Sequence, residues 1–335
     1  MRLNKNIKIF LNYFLGPALF IWLSWSIYNQ VSSQPDLVNS WKTIKQSLGS
    51  SRILNLVLVF FLMIINWSLE AFKWKISVQN VQPVSFLKAF RAILSGVSFS
   101  VTTPNRMGEY LGRILYMEEG NRLKAISLTI VSSMSQLIIT LLAGLIGLFF
   151  IKEEIVRSGF IKDVDLSVWL QVLQYGVIMA LIILTLLYFR LSLLINLVNK
   201  LRNGDRYAYL IEALKKVDAT LLIRLLSFSA TRYFVFTLQY FLLFRLFDVH
   251  VSWWQSFWSV NVIFLILAIV PTFAIAELGL RGKVSLQLLH IFSKNDLGIG
   301  FATVSIWLIN LVIPAVIGSL LILSIKIFRN RNDGS

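Results

Sequence analysis

The chain has 335 residues, of which 57% are hydrophobic and 14% are charged. Its uncharged runs approach the roughly 20 residues of helix needed to cross a bilayer core of about 30 Å, which indicates an all-α polytopic membrane protein. The runs are continuous rather than alternating, which excludes a transmembrane β-barrel. The formal net charge of +16 therefore points to basic loops on one side of a membrane, and not to a nucleic-acid partner.

About six full spans are predicted. They cover roughly residues 9–28, 53–72, 125–150, 168–189, 221–247 and 300–325. Basic residues precede the first span without a small-residue cleavage pattern, so we expect a retained span and not a signal peptide. Residues 190–220 mix basic residues with Leu and Ile, which predicts a cytoplasmic amphipathic connection on the anionic inner leaflet.

Two polar elements interrupt the apolar segments, at residues 84–118 and 253–292. Each contains a Pro, then a Glu, then an Arg four residues after the Glu. The matching pairs of residues are Pro104 and Pro271, Glu109 and Glu277, and Arg113 and Arg281. They are 167 or 168 residues apart, which indicates an internal duplication. In the first element only 92–101 is cleanly apolar, about 15 Å of helix, so we predict a re-entrant helical hairpin in each half.

The distribution of Lys and Arg predicts the topology. With the N-terminus inside, cytoplasmic segments carry 19 basic residues and external segments carry 7, which places both termini in the cytoplasm of a bacterial inner membrane. Residues 1–335 then form a single transmembrane domain, an inverted-topology repeat with halves at roughly 1–150 and 168–330. Because 253–270 is uncharged and long enough to cross alone, eight full spans are the alternative.

The two elements also provide candidate substrate-binding residues. Glu at i and Arg at i+4 share one helix face, and such a pair inside a membrane is either a structural salt bridge or part of a pathway. A helix break at proline leaves free backbone N–H groups that favour an anion. The candidates are Pro104, Asn105, Arg106, Gly108, Glu109, Arg113, Pro271, Glu277, Gly279, Arg281 and, within the fifth span, Arg232. We expect Arg232 to pair with Glu277 or Glu109, and we expect neither a metal nor another cofactor.

The stretch Pro104-Asn-Arg-Met-Gly-Glu-Tyr-Leu-Gly-Arg113 resembles the Pro-Gly-Arg-x-Gly-Glu-x-x-Arg motif of the lysylphosphatidylglycerol synthase transmembrane family, also described as flippase-like. The second element resembles the later Pro-x-x-x-Gly-x-x-Glu motif of that family, with Phe273, Ala274 and Ala276 where glycines are usual. The resemblance implies an integral membrane protein that moves or hosts lipids. The soluble aminoacyl-transferase domain has no counterpart in this sequence, so lysyl transfer is not expected.

The leading functional hypothesis is a flippase or transporter for an anionic lipid or a lipid-linked phosphate. Arg113 and Arg281 would hold the phosphate, while Glu109 and Glu277 would position the arginines or carry a coupling proton. One alternative is a non-transporting partner that presents lipid to a separate enzyme, and another is an ion-coupled transporter of small solutes. The sequence shows no nucleophile motif and no phosphate-binding loop, so we do not expect an enzyme.

Overall fold

A computed structural model describes residues 42, 53–101, 103, 107–158, 166–192, 213–215, 217–270 and 274–329. Ten α-helices lie in the ranges described below. The predicted span at 9–28, most of the connection at 190–220, and the candidates Pro104, Asn105, Arg106 and Pro271 lie outside these residues.

All regular secondary structure in the described residues is helical. The helices in chain order are α1 (Ile53–Val78), α2 (Phe86–Ser100), α3 (Gly108–Ile114), α4 (Arg122–Arg157), α5 (Leu166–Phe189), α6 (Ala219–Leu246), α7 (Trp253–Ile269), α8 (Ala274–His290), α9 (Asp296–Trp307) and α10 (Ile313–Arg329). A 3₁₀ turn at Glu119–Asn121 precedes α4, and a π-helical segment at Leu308–Val312 joins α9 to α10.

Five segments are long and apolar enough to cross a membrane: Ile53–Val78, Glu119–Arg157, Val168–Phe189, Ala219–Leu246 and Asp296–Leu323. They correspond to five of the six predicted spans, which confirms an all-α polytopic membrane protein. The second span is longer than predicted, because α1 continues through Glu70 and Lys73 to Val78. Both charged side chains are buried, so they lie inside the helix bundle and do not mark the end of the span.

The first interrupted element is a tight antiparallel hairpin of α2 and α3. Gly112 faces Gly96 and Gly108 faces Phe99, and a Cβ at either Gly112 or Gly108 would lie within 2.3 Å of the opposing backbone. The Tyr116 hydroxyl is 2.9 Å from the Ser95 hydroxyl and ties the end of α3 to α2. Burial raises the pKa of the Tyr116 hydroxyl above its ordinary value. The 15 residues of α2 span only about 22 Å, and the re-entrant placement of the hairpin in the bilayer stays a prediction.

The second interrupted element consists of α7 and α8, each of 17 residues. Helix α7 packs along α4, where Gly144 and Gly147 allow close approach to Leu265 and Asn261. The order of one long helix, two shorter helices and another long segment therefore occurs twice, first in α1 to α4 and then in α6 to α10. The internal duplication and the opposite orientation of its two halves stay predictions.

Candidate functional site

The centre of the bundle contains a cluster of charged side chains around Glu70. Three cations contact its carboxylate. The Nζ of Lys73 lies 3.0 Å from Oε2, Nη1 of Arg232 lies 2.9 Å from Oε2, and Nη2 of Arg113 lies 3.0 Å from Oε1. Glu70, Lys73 and Arg113 are each less than 5% exposed. Ionised groups this deeply buried are tolerated only when they are paired, so the cluster is a single mutually dependent unit.

The predicted pair of Glu109 and Arg113 is present. The Nη2 of Arg113 lies 2.8 Å from Oε2 of Glu109, one turn earlier on α3. The same nitrogen also bonds Glu70 on α1, so Arg113 fixes the first hairpin to the long helix that precedes it. Its Nε and Nη1 atoms are buried without hydrogen-bond partners among the described residues.

The predicted pair of Glu277 and Arg281 is also present. The Arg281 guanidinium contacts the Glu277 carboxylate one turn earlier on α8. Its Nη1 donates to the Tyr240 hydroxyl on α6 at 3.0 Å, and the guanidinium lies over the Phe264 ring, 5.6 Å from its centroid. In both halves, therefore, the arginine bonds to a partner on the long helix that precedes its own element.

Arg232 is oriented by four groups, one of which is Gln136 on α4, whose Oε1 accepts from Nη1 of Arg232 at 3.5 Å. Its Nε donates to Asn66 at 2.8 Å, its Nη1 reaches Glu70, and the guanidinium lies 5.2 Å from the centroid of the Trp67 ring. The sequence predicted Glu277 or Glu109 as its carboxylate partner, whereas the ion pair is formed with Glu70. Its side chain remains 19% exposed, more than those of the other two cations around Glu70.

The exposed part of Arg232 faces a cavity of about 260 Å³ between five helices. The lining residues are Asn66 from α1, Gln136 and Thr140 from α4, Arg232, Tyr233 and Phe236 from α6, Phe264, Leu267 and Ala268 from α7, and Glu277 and Arg281 from α8. Asn66 and Arg232 lie about halfway along α1 and α6. Both helices are long enough to cross a membrane, and in a bilayer that they cross this position corresponds to a depth near the middle.

The cavity is electropositive and amphipathic. Its ionisable lining residues are two arginines and one glutamate, a net charge of +1. Tyr233 adds a hydroxyl that has no hydrogen-bond partner among the described residues. Phe236, Phe264 and Leu267 supply an apolar wall. An anion that carries an apolar chain would match both the charged and the apolar parts of this lining.

Other predicted site residues are placed differently. Arg113 and Glu109 are not among the residues that line the cavity. Arg113 contacts Glu70, which in turn contacts Arg232 in the cavity wall. Gly108 makes the close backbone contact of the first hairpin. Gly279 is exposed, and a Cβ there would meet nothing within 4 Å among the described residues. Within the described part of the chain, no group of three or more His, Asp or Glu residues could hold a metal ion.

Sequence reasoning missed Glu70, Lys73 and Asn66. Glu70 and Lys73 lie where the predicted second span ends, near residue 72, and charges there are typical of a span end, although two opposite charges three residues apart can also pair on one helix face. Asn66 donates from Nδ2 to Asn310 Oδ1 at 3.4 Å. Asn310 lies in the π-helical segment just before Pro314, which lacks the N–H for a regular helical bond.

The model of the lysylphosphatidylglycerol synthase transmembrane region matches residues 13–324. The chain belongs to this family. The match covers both interrupted elements and every lining residue of the cavity, and it confirms the resemblance carried by the motif at 104–113. Membership indicates an integral membrane protein with a function connected to membrane lipids. No curated protein matches the chain at a significant level.

Proposed function

We propose that this family member moves an anionic lipid headgroup across the bacterial inner membrane without changing it chemically. One observation carries the proposal: Arg232, held by Glu70 and Asn66, presents its guanidinium to an amphipathic cavity about halfway along two helices that are long enough to cross a membrane. A charged side chain in that position is costly, and it is retained where it lines a pathway for a charged substrate.

The geometry suits a phosphate on a lipid. An arginine binds phosphate oxygens through charge-assisted hydrogen bonds, and Arg281 stands in the wall of the same cavity. The aromatic and leucine wall would contact the glycerol and the first part of the acyl chains. Arg113, Lys73 and Glu109 then serve as a buried support that fixes Arg232 through Glu70.

The orientation of the protein in the membrane follows the prediction from the distribution of Lys and Arg. The partners are membrane lipids with an anionic or lipid-linked phosphate headgroup. Both termini are placed in the cytoplasm, where the excess of Lys and Arg predicts them.

We expect Arg232→Gln to reduce movement of an anionic lipid by at least about tenfold, the equivalent of one lost charge-assisted hydrogen bond. The variant is expected to fold, because Glu70 keeps Lys73 and Arg113 as partners. Arg232→Lys should give an intermediate rate, since an ammonium cannot bond Asn66 and Glu70 in the same fork geometry.

The measurement uses proteoliposomes that contain acyl-chain-labelled phosphatidylglycerol or phosphatidylcholine, with an impermeant reductant that quenches the label in the outer leaflet. Arg245→Gln is the matched control, because Arg245 is an exposed arginine on the same helix. Equal rates for wild type and Arg232→Gln would contradict the proposal. No movement above empty liposomes, with folded protein, would favour a partner that presents lipid to a separate enzyme.

A further inference from the structure

A second cavity, of about 410 Å³, lies where the C-terminal part of α4 meets the start of α7. Its walls include Phe150, Ile151, Glu154, Trp254, Trp258 and Phe292. Glu154 follows Thr140 by 14 positions on α4, which is about 21 Å of helix. The second cavity is therefore separate from the central one, and it lies near a membrane–water interface.

Aromatic rings form one wall of this second cavity. The Phe150 and Trp258 rings stack with centroids 4.6 Å apart, and the Trp254 and Trp258 rings stack with centroids 6.0 Å apart. Phe150 and Trp254 are 55% and 63% exposed, so much of their ring surface stays open to a ligand. The face of an aromatic ring attracts cations, and tryptophan does so most strongly.

A carboxylate completes the wall. The Oε2 atom of Glu154 is buried and has no hydrogen-bond partner among the described residues. The neighbouring Glu153 differs, because it is 79% exposed and pairs with Arg157 at 3.1 Å. Aromatic residues are common at membrane interfaces. Their presence does not explain why a carboxylate oxygen is buried without a hydrogen-bond donor.

We infer that the second cavity binds the ammonium group of a membrane lipid of the ethanolamine class. An ammonium donates hydrogen bonds to Glu154 and is attracted by the ring faces, whereas a headgroup with only a phosphate is repelled by the carboxylate. The lipid is favoured over a free amine because the rings open onto an apolar exposed surface that includes Phe149, 74% exposed. On helices that cross a bilayer, such a surface faces lipid.

The test compares Glu154→Gln with Glu153→Gln in the full chain, purified in detergent micelles. Phosphatidylethanolamine with brominated acyl chains quenches nearby tryptophan, and the concentration at half quenching reports binding. We expect Glu154→Gln to raise that concentration by about tenfold, through loss of a charge-assisted contact, and Glu153→Gln to leave it unchanged. Trp254→Leu should also weaken binding. Brominated phosphatidylglycerol, which the Glu154 carboxylate repels, should bind the wild-type protein more weakly than the ethanolamine lipid does, and Glu154→Gln should not weaken its binding further.

Two results would overturn the assignment. One is equal affinity of the wild-type protein for the two brominated lipids, together with no effect of Glu154→Gln in a folded variant. The other is competition by free ethanolamine at the same concentration as the lipid, which would assign the site to a soluble amine. Because quenching measures binding and not movement, failure here is distinguishable from failure of the transport proposal.

Discussion

Replacing Glu70 with glutamine is expected to lower the free energy of unfolding by about 3–5 kcal/mol, the usual cost of removing one partner from a buried ion pair. The substitution keeps the shape of the side chain but removes the charge that Lys73, Arg113 and Arg232 share. Arg113 would keep its contact with Glu109, whereas Lys73 and Arg232 would lose the carboxylate they contact among the described residues, and the net charge of the cluster would rise from +1 to +2. The apparent melting temperature in detergent micelles measures the effect.

A second substitution separates loss of charge balance from loss of shape. Lys73→Met in the Glu70→Gln background returns the net charge of the cluster to +1 and keeps an unbranched side chain in a buried position. We expect the double variant to recover part of the lost stability. Glu153→Gln, which breaks an exposed pair, is the control and should change little. A melting temperature for Glu70→Gln equal to that of the control would refute the central role of this carboxylate.

The second large effect is expected at Gly112. An alanine Cβ there would lie 2.3 Å from the Gly96 nitrogen, a distance that the backbones of α2 and α3 can relieve only by moving apart. Overpacking of this kind costs about 1–3 kcal/mol and occasionally more. Because Arg113 is the next residue, separation of the hairpin also draws its guanidinium away from Glu70. Gly112→Ala should therefore lower both the melting temperature and the rate of lipid movement.

Gly176→Ala is the matched control for the hairpin. Gly176 is inside α5, and a Cβ there would meet no atom of the described residues within 4 Å. Alanine in an exposed helix interior is more favourable than glycine by roughly 0.5–1 kcal/mol, so this variant should be at least as stable as wild type. Gly112→Ala with the same stability as Gly176→Ala would show that the two helices do not pack as closely as the structure has them.

The sequence by itself determined the helical membrane class, five described spans and the two Glu–Arg pairs. These features are local. A span is set by the length of an apolar run, and a Glu four residues before an Arg lies on the same face of any helix. Helix periodicity alone therefore predicted that Glu109 meets Arg113 and that Glu277 meets Arg281.

Only the tertiary structure decided which charges meet across the bundle. Arg113 and Arg232 are 43 and 162 residues from Glu70 in sequence. Both bond it because α6 packs along α1 and because the first hairpin packs against α1 through α2. No short-range pattern encodes such contacts, so Glu70 resembled the polar end of a span. Long-range packing also decided the position of Arg113. The sequence predicted that Arg113 binds the substrate phosphate, whereas in the structure its side chain is buried and contacts Glu70. Packing also decides that Arg232 lines the cavity, because the cavity is the space left between α1, α4, α6, α7 and α8.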